Sequence, residues 1–162
     1  MNATNDVIRR MRAESEIDSL RIRLDAWIAD VDDELRDAAA WAFSGTPKHY
    51  RPLTIFGCYR ALHGSDVPPE TIEHAFAVEL MHNMSLVVDD ILDESDERRG
   101  IATLHTKFGS LTALMASGYF VADAFDAMAN DPFAIRHLAE LLRRLGAAEC
   151  LQWRLRRQPL GV

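Results

Sequence analysis

Residues 70–100 read ETIEHAFAVELMHNMSLVVDDILDESDERRG. Asp66-Val67-Pro68-Pro69 precedes this stretch, and proline is tolerated in a first helical turn, so the pattern predicts a helix from about Glu70 to Leu92. At 1.5 Å per residue it spans ~35 Å, the diameter of a small domain. Arg98-Arg99-Gly100 is expected to end the segment. A helix of that length, set inside a chain of 162 residues, decides the fold class.

The same periodicity continues on both sides. Ile17, Leu20, Ile22, Leu24, Trp27, Ile28, Val31 and Leu35 recur at helical spacing, which predicts one helix from Ser15 to Phe43, stopped by Ser44-Gly45-Thr46-Pro47. A short helix is expected over about Arg51 to Leu62, with Pro52 near its start and Gly64 ending it. Ser110 to Ala129 reads as a second long helix. Leu111, Leu114, Met115, Gly118, Val121 and Phe125 lie on one face beside the small residues Ala113, Ala116 and Ser117, and burial on several sides is expected. Asn130-Asp131-Pro132 is a turn, and a last helix is predicted from about Phe133 to Arg157. The pattern holds no strand signal, no Asn-Gly hairpin and no internal repeat, so the fold is expected to be all-α.

Length fits one domain, residues 1–162, and 48% apolar with 27% charged residues is a globular balance rather than a disordered one. A net charge of −7 argues against a general nucleic-acid binder, whose phosphate contacts need a basic face. No apolar run approaches the ~20 residues of a membrane span, and residues 1–12 lack a stretch of signal-peptide length. Cys58 and Cys150 have neither zinc nor disulfide-framework spacing; buried apolar packing is expected of both, and the reducing cytoplasm is the expected location. The basic residues are 16 Arg and only two Lys, Lys48 and Lys107.

Chemistry concentrates after Val88. Six of the nine residues from Asp89 to Glu97 are acidic, at a helix C-terminus where the macrodipole disfavours each anion by ~0.3–1 kcal/mol. Such a cluster, held against the apolar run Ser85-Leu86-Val87-Val88, calls for a cationic partner. Asp89 and Asp93, four apart, project from one helix face and suit a hard divalent cation such as Mg²⁺, which takes one or two carboxylates with waters and substrate phosphates. An EF-hand is excluded because the sixth-position Gly is missing, and zinc because no His or Cys lies within ligand spacing of the aspartates. His82, seven residues before Asp89, lies within 20° of the same face. Arg98 and Arg99 supply guanidinium forks suited to phosphate, and Lys48 with Arg51 forms a second basic pair in a loop. Acids for Mg²⁺ with two separate basic groups describe a site for two phosphate-bearing ligands.

Asp89-Asp90-Ile91-Leu92-Asp93 followed by Arg98-Arg99-Gly100 resembles the first aspartate-rich motif, DDxxD then RRG, of the trans-isoprenyl diphosphate synthases. Lys48-His49-Tyr50-Arg51-Pro52 resembles their KRxRP loop. Glu79-Leu80-Met81-His82 resembles the stretch two turns before the aspartates, and Thr103-Leu104-His105-Thr106-Lys107-Phe108-Gly109 resembles TVHxKFG. Gly146-Ala147-Ala148-Glu149 falls where the family has a Gly-rich helix. DDxxD is shared with terpene cyclases; its combination with RRG and KxxRP is what carries the likeness. The resemblance implies the helical bundle of the isoprenoid synthase type. It further implies that Asp89 and Asp93 are catalytic metal ligands for Mg²⁺, that Arg98 contacts an allylic diphosphate, and that Lys48, Arg51, His82 and Arg99 hold isopentenyl diphosphate. Ionisation would leave an allylic cation in an apolar pocket, and attack by the isopentenyl double bond with proton loss would extend the chain by five carbons. Met84 and Ser85, five and four residues before Asp89, occupy tail-pocket positions and lean towards a C20 or longer product.

The chain also departs from the pattern. His49 replaces an Arg, Val88 replaces a His, Tyr119 stands in place of an Asp, and Glu149-Cys150 alters a Gly-Gln pair. Family members continue past Gly161 with a Lys-Thr pair and a second aspartate-rich motif, so the likeness covers about half of the full fold and the domain reads as truncated before that motif. A homodimer, or association with a chain supplying the missing half, is expected. Two other readings stay open, a class I terpene cyclase and a non-catalytic or split-partner subunit of a heteromeric synthase. A cyclase has no second diphosphate for Lys48, Arg51 and Arg99, and partner subunits commonly lose the aspartates.

Overall fold

The computed structural model describes residues 3–45, 48–64 and 66–156. Within them lie α1 (Ala3–Arg10), α2 (Glu14–Asp30), α3 (Asp33–Ala42), α4 (Tyr50–His63), α5 (Pro69–Leu92), β1 (Glu97–Arg98), β2 (Ile101–Ala102), α6 (Leu104–Phe108), α7 (Ser110–Ala127) and α8 (Pro132–Arg156). The all-α expectation holds, and the predicted α4, α5, α7 and α8 end within two residues of the observed helices. Thr46 and Pro47, assigned a stop signal above, lie outside the described residues, as do Arg157 and Gly161.

The single helix expected over 15–43 is two helices. Val31 turns extended at ψ 140° and Asp32 at ψ 141°, after which the Asp32 carbonyl accepts the Leu35 and Arg36 N–H groups to start α3. Acidic Asp33 and Glu34 favour a helix N-terminus there, and Val31 is buried at the corner. The helix α1, the short α6 and a small antiparallel hairpin were not foreseen.

Residues 3–127 form one compact unit and 128–156 another. In the first, α5 is the central element: Ala75, Phe76, Ala77, Leu80, Met81 and Val87 are buried, with α2, α4 and α7 packed on it. Trp27 lies edge-on to Phe43, Phe76 and Phe120, with centroids 5.4, 5.9 and 5.6 Å away. Its indole N–H donates to Asp123, so this large ring is buried without an orphaned donor. Asp123 stands one turn beyond Tyr119 on the same helix.

The helix α7 is buried on one side only. Ala113, Ala116, Ser117, Phe120 and Ala124 face inward, their small side chains letting α5 approach, while Leu111, Leu114 and Met115 are 73%, 47% and 54% exposed. The two cysteines are exposed, contrary to expectation. Cys58 lies two residues, or 200°, past the buried Phe56 and so on the outer face of α4. The second unit is α8, whose N-terminus is capped by the Asp131 carboxylate accepting the Phe133 and Ala134 N–H groups at 3.1 and 3.0 Å. Leu141, Leu145, Leu151 and Leu155 along it are exposed.

Candidate active site

The helix α5 ends where the acidic run begins. Ser95 N–H bonds Asp90 O at 2.9 Å and Glu94 N–H bonds Ile91 O at 3.3 Å, with Glu94 left-handed at φ 51°: a Schellman ending in which Glu occupies the position glycine prefers. The chain then forms the β1–β2 hairpin, with Glu97 opposite Ala102 and Arg98 opposite Ile101. Arg99 and Gly100 make its two-residue loop, at φ 53° and 80°. Positive φ at both central positions is the type I′ requirement, which explains the order Arg-Gly: glycine is the unstrained member and Arg99 the strained one.

Three contacts fasten the hairpin. Trp41 Nε1 donates to Ala102 O at 2.9 Å, the Thr103 hydroxyl donates to Ser95 O at 2.7 Å, and Arg98 Nε donates to both Asp90 oxygens at 2.8 and 3.0 Å. Lys107 Nζ sits 3.0 Å from the Trp41 ring centroid and holds that indole from the outer side. Replacing Gly100 with Ala is expected to lower unfolding free energy by about 1–2 kcal/mol, read in urea titration. Its Cβ would meet no atom within 4 Å, so the cost would be purely that of the left-handed backbone.

Lys48, Arg51, His82 and Arg99, from three separated segments, line one cavity of about 670 Å³. The N-terminal end of α4 faces it, with Lys48 and His49 just before the helix and Tyr50 and Arg51 opening it, adding the positive end of a helix to two cationic side chains. The helix α5 contributes Glu79, His82, Asn83 and Leu86, at the i, i+3, i+4, i+7 spacing of one face. His49, the residue before α4, is itself left-handed at φ 52° with a buried Nδ1 that lacks a partner. Both cationic walls therefore carry a strained non-glycine residue.

A second cavity of about 340 Å³ shares Asn83, Leu86 and Arg99 with the first and adds Asp90, Arg98, Trp41 and Thr103. Arg98 and Arg99 thus face a common space. Asp89 and Asp93 line neither cavity; they lie at the end of α5, Asp89 half-buried and Asp93 exposed, with Asp93 N–H bonded to Asp89 O at 2.8 Å so that the helical spacing persists between them. The sequence had not shown Arg9 and Arg21, from α1 and α2, on the wall of the larger cavity, nor the pairing of Asp90 with Arg98.

Charge shapes the titrations. Burial, then Arg51, Arg99 and Arg98, push the His82 imidazole down to about 4. Burial and Arg21 lower His49 as well, so both rings are neutral at pH 7. Burial raises the Glu79 carboxyl, and the Arg51 guanidinium partly offsets this. Burial likewise raises Asp89; Arg98 opposes it, and the Asp93 and Asp90 charges reinforce it.

The His82 shift has a definite sign for stability. Between about 6.5 and about 4 the unfolded chain binds a proton there that the folded chain refuses, so stability falls as pH drops through that window. His82→Gln is expected to reduce the loss of urea midpoint between pH 7 and pH 4.5. An identical loss in the variant would count against the site's cationic field.

Among the described residues no group of three or more His, Cys, Asp or Glu side chains forms a ready-made metal centre. Two carboxylates one turn apart still fit Mg²⁺, an oxygen-seeking ion that completes its shell with water and substrate phosphate. A divalent cation would also offset the Asp93 and Asp90 charges, which add to the burial that raises Asp89.

Helices around a long central helix, ending in acids beside two guanidinium-lined cavities, define an isoprenoid-synthase-type fold. The family model for polyprenyl synthetase matches residues 32–159, and the chain belongs to that family. It is 42% identical over 105 residues to a geranylgeranyl pyrophosphate synthase of Geoglobus acetivorans, covering 65% of this chain and 32% of that one. Among solved structures, a polyprenyl synthase from Caulobacter crescentus, described as complexed with calcium and isoprenyl diphosphate, superposes with TM-score 0.81 at 27% identity, over 93% of this chain and 45% of that one. Heptaprenyl diphosphate synthase from Staphylococcus aureus gives 0.80 at 25% identity, over 90% and 48%. The chain spans about a third of the length of the curated relatives it matches.

Proposed function

We propose that this chain carries the diphosphate subsites of a trans-prenyltransferase that condenses isopentenyl diphosphate with an allylic diphosphate, within one isoprenoid-synthase-like domain of residues 1–162. The observation that carries the reading is the single cavity lined by Lys48, Arg51, His82 and Arg99, adjoining a second that adds Arg98. Two adjacent anion sites suit two diphosphate substrates, where a cyclase needs one.

In this reading Lys48, Arg51 and Arg99, with the α4 N-terminus, bind the isopentenyl diphosphate, and neutral His82 hydrogen-bonds it. Arg98 holds the allylic diphosphate and neutralises it as it leaves. Asp89 and Asp93 would hold Mg²⁺, which when bound supplies further positive charge to the leaving diphosphate. The calcium and isoprenyl diphosphate of the Caulobacter structure support a divalent cation and a diphosphate for this fold. Half-buried Met84 and Ser85, at the tail positions, with relatives named geranylgeranyl diphosphate synthase, support a C20 or longer product. No helix of the described residues is long and apolar enough to cross a membrane, and a cytoplasmic location is proposed from the cysteine usage.

The test is copurification followed by transfer of labelled isopentenyl diphosphate onto geranyl or farnesyl diphosphate. Failure of every copurified form to elongate either acceptor would refute the reading. Association is proposed too, as a homodimer or with a chain carrying the remaining fold, because α7 leaves Leu111, Leu114 and Met115 to solvent and α8 leaves Leu141, Leu145, Leu151 and Leu155. Sedimentation is expected to show an assembly larger than 18.3 kDa; a monodisperse monomer across micromolar concentrations would count against it.

A further inference from the structure

We propose that Asp90 is a positioning residue that aims Arg98 at a substrate diphosphate, and not a third metal ligand of the acidic run. Asp89 and Asp90 are neighbours in sequence, yet one helical step turns them 100° apart, and their surroundings differ accordingly. The Asp90 side chain is 7% exposed, and both its oxygens accept from Arg98 Nε, at 2.8 and 3.0 Å. A carboxylate buried to this degree and already paired on both oxygens is poorly placed to coordinate a cation from solvent.

The pairing uses one N–H of Arg98 and leaves the four Nη–H donors unspent on Asp90. Those are the donors that grip phosphate in pairs. Asp90 and Arg98 line the same cavity, with Arg99 beside them. The Asp90 backbone carbonyl also accepts Ser95 N–H at the end of α5, so one residue closes the helix and anchors the hairpin that follows. Fixing Arg98 in β1 fixes the position of Arg99, the next residue in a two-residue turn.

The inference rests on the diphosphate reading above, and a double-mutant cycle separates the two. Affinity of the purified chain for inorganic pyrophosphate at saturating Mg²⁺ would be read by ³¹P NMR titration for wild type, Asp90→Ala, Arg98→Met and the double variant. Asp90→Ala is expected to weaken binding by about tenfold alone and by no more than about twofold once Arg98 is Met, since its effect travels through that guanidinium. Equal losses in both backgrounds would overturn the proposal, because Asp90 would then act directly on metal or phosphate, while leaving the diphosphate reading intact. Should Asp90→Ala fail to melt cooperatively, Asp90→Asn in both backgrounds is judged by the same criterion. No binding of magnesium pyrophosphate by the unsubstituted chain would overturn the proposal together with the reading it rests on.

Discussion

Asp89→Ala is expected to abolish Mg²⁺-dependent elongation in any complete form of the enzyme, by about a thousandfold or more, while the helices stay folded. The size follows from what the residue would do. It is one of two carboxylates proposed to fix the ion beside the leaving diphosphate, and several kcal/mol of charge stabilisation depend on that placement. Stability should move the other way. Asp89 stands in the last turn of α5, at the negative end of the dipole, crowded by the Asp90 and Asp93 charges. Removing an anion there is worth about 0.3–1 kcal/mol to the metal-free protein. Lost turnover with an equal or higher melting temperature is therefore the expected pair of results, and full Mg²⁺-dependent activity in the variant would sink the metal assignment.

The long helix α5 was legible because its apolar spacing runs uninterrupted and prolines mark its start. The four cavity residues Lys48, Arg51, His82 and Arg99 were legible one by one from their chemistry, but as one group only through the motifs that contain them. Nothing in local spacing brings residue 48 to residue 99; α4 packing against α5 does that. What the pattern hid has specific causes. The break at Val31 is invisible to periodicity because a buried Val fits a helix and a corner equally well. The hairpin has two residues per strand, too short for alternation to register, and its turn is Arg-Gly where Asn-Gly is the usual signal. The Asp90–Arg98 pair crosses from a helix into a strand, so no helical arithmetic relates positions eight apart. The Leu111, Leu114 and Met115 stripe was read correctly as one face, but burial on several sides was expected of the helix and only the opposite face, with its small residues, is buried.

The isolated 162-residue chain is expected to bind diphosphates weakly and to show negligible elongation, with activity restored by a C-terminal extension or partner that completes the fold. The side chains proposed to grip substrate are accessible to water: Lys48, Arg51 and Arg99 are exposed, and His82, Leu86 and Asp89 are only half-buried. Two charges 4 Å apart attract by about 4 kcal/mol at an effective dielectric of 20 and by about 1 kcal/mol in bulk water, so each contact to substrate is worth a fraction of its value in a closed site. An allylic cation formed on such a surface would meet water before the isopentenyl double bond. The solved relatives are longer chains, of which this one covers 45% and 48%. Incubation of the purified chain with Mg²⁺, isopentenyl diphosphate and geranyl or farnesyl diphosphate should give no elongated product, and addition of the complementing half should give product that Asp89→Ala removes. Robust elongation by this chain alone, at full purity and lost on Asp89→Ala, would mean that half of the fold excludes water well enough on its own, and that closure is not what the remaining helices contribute.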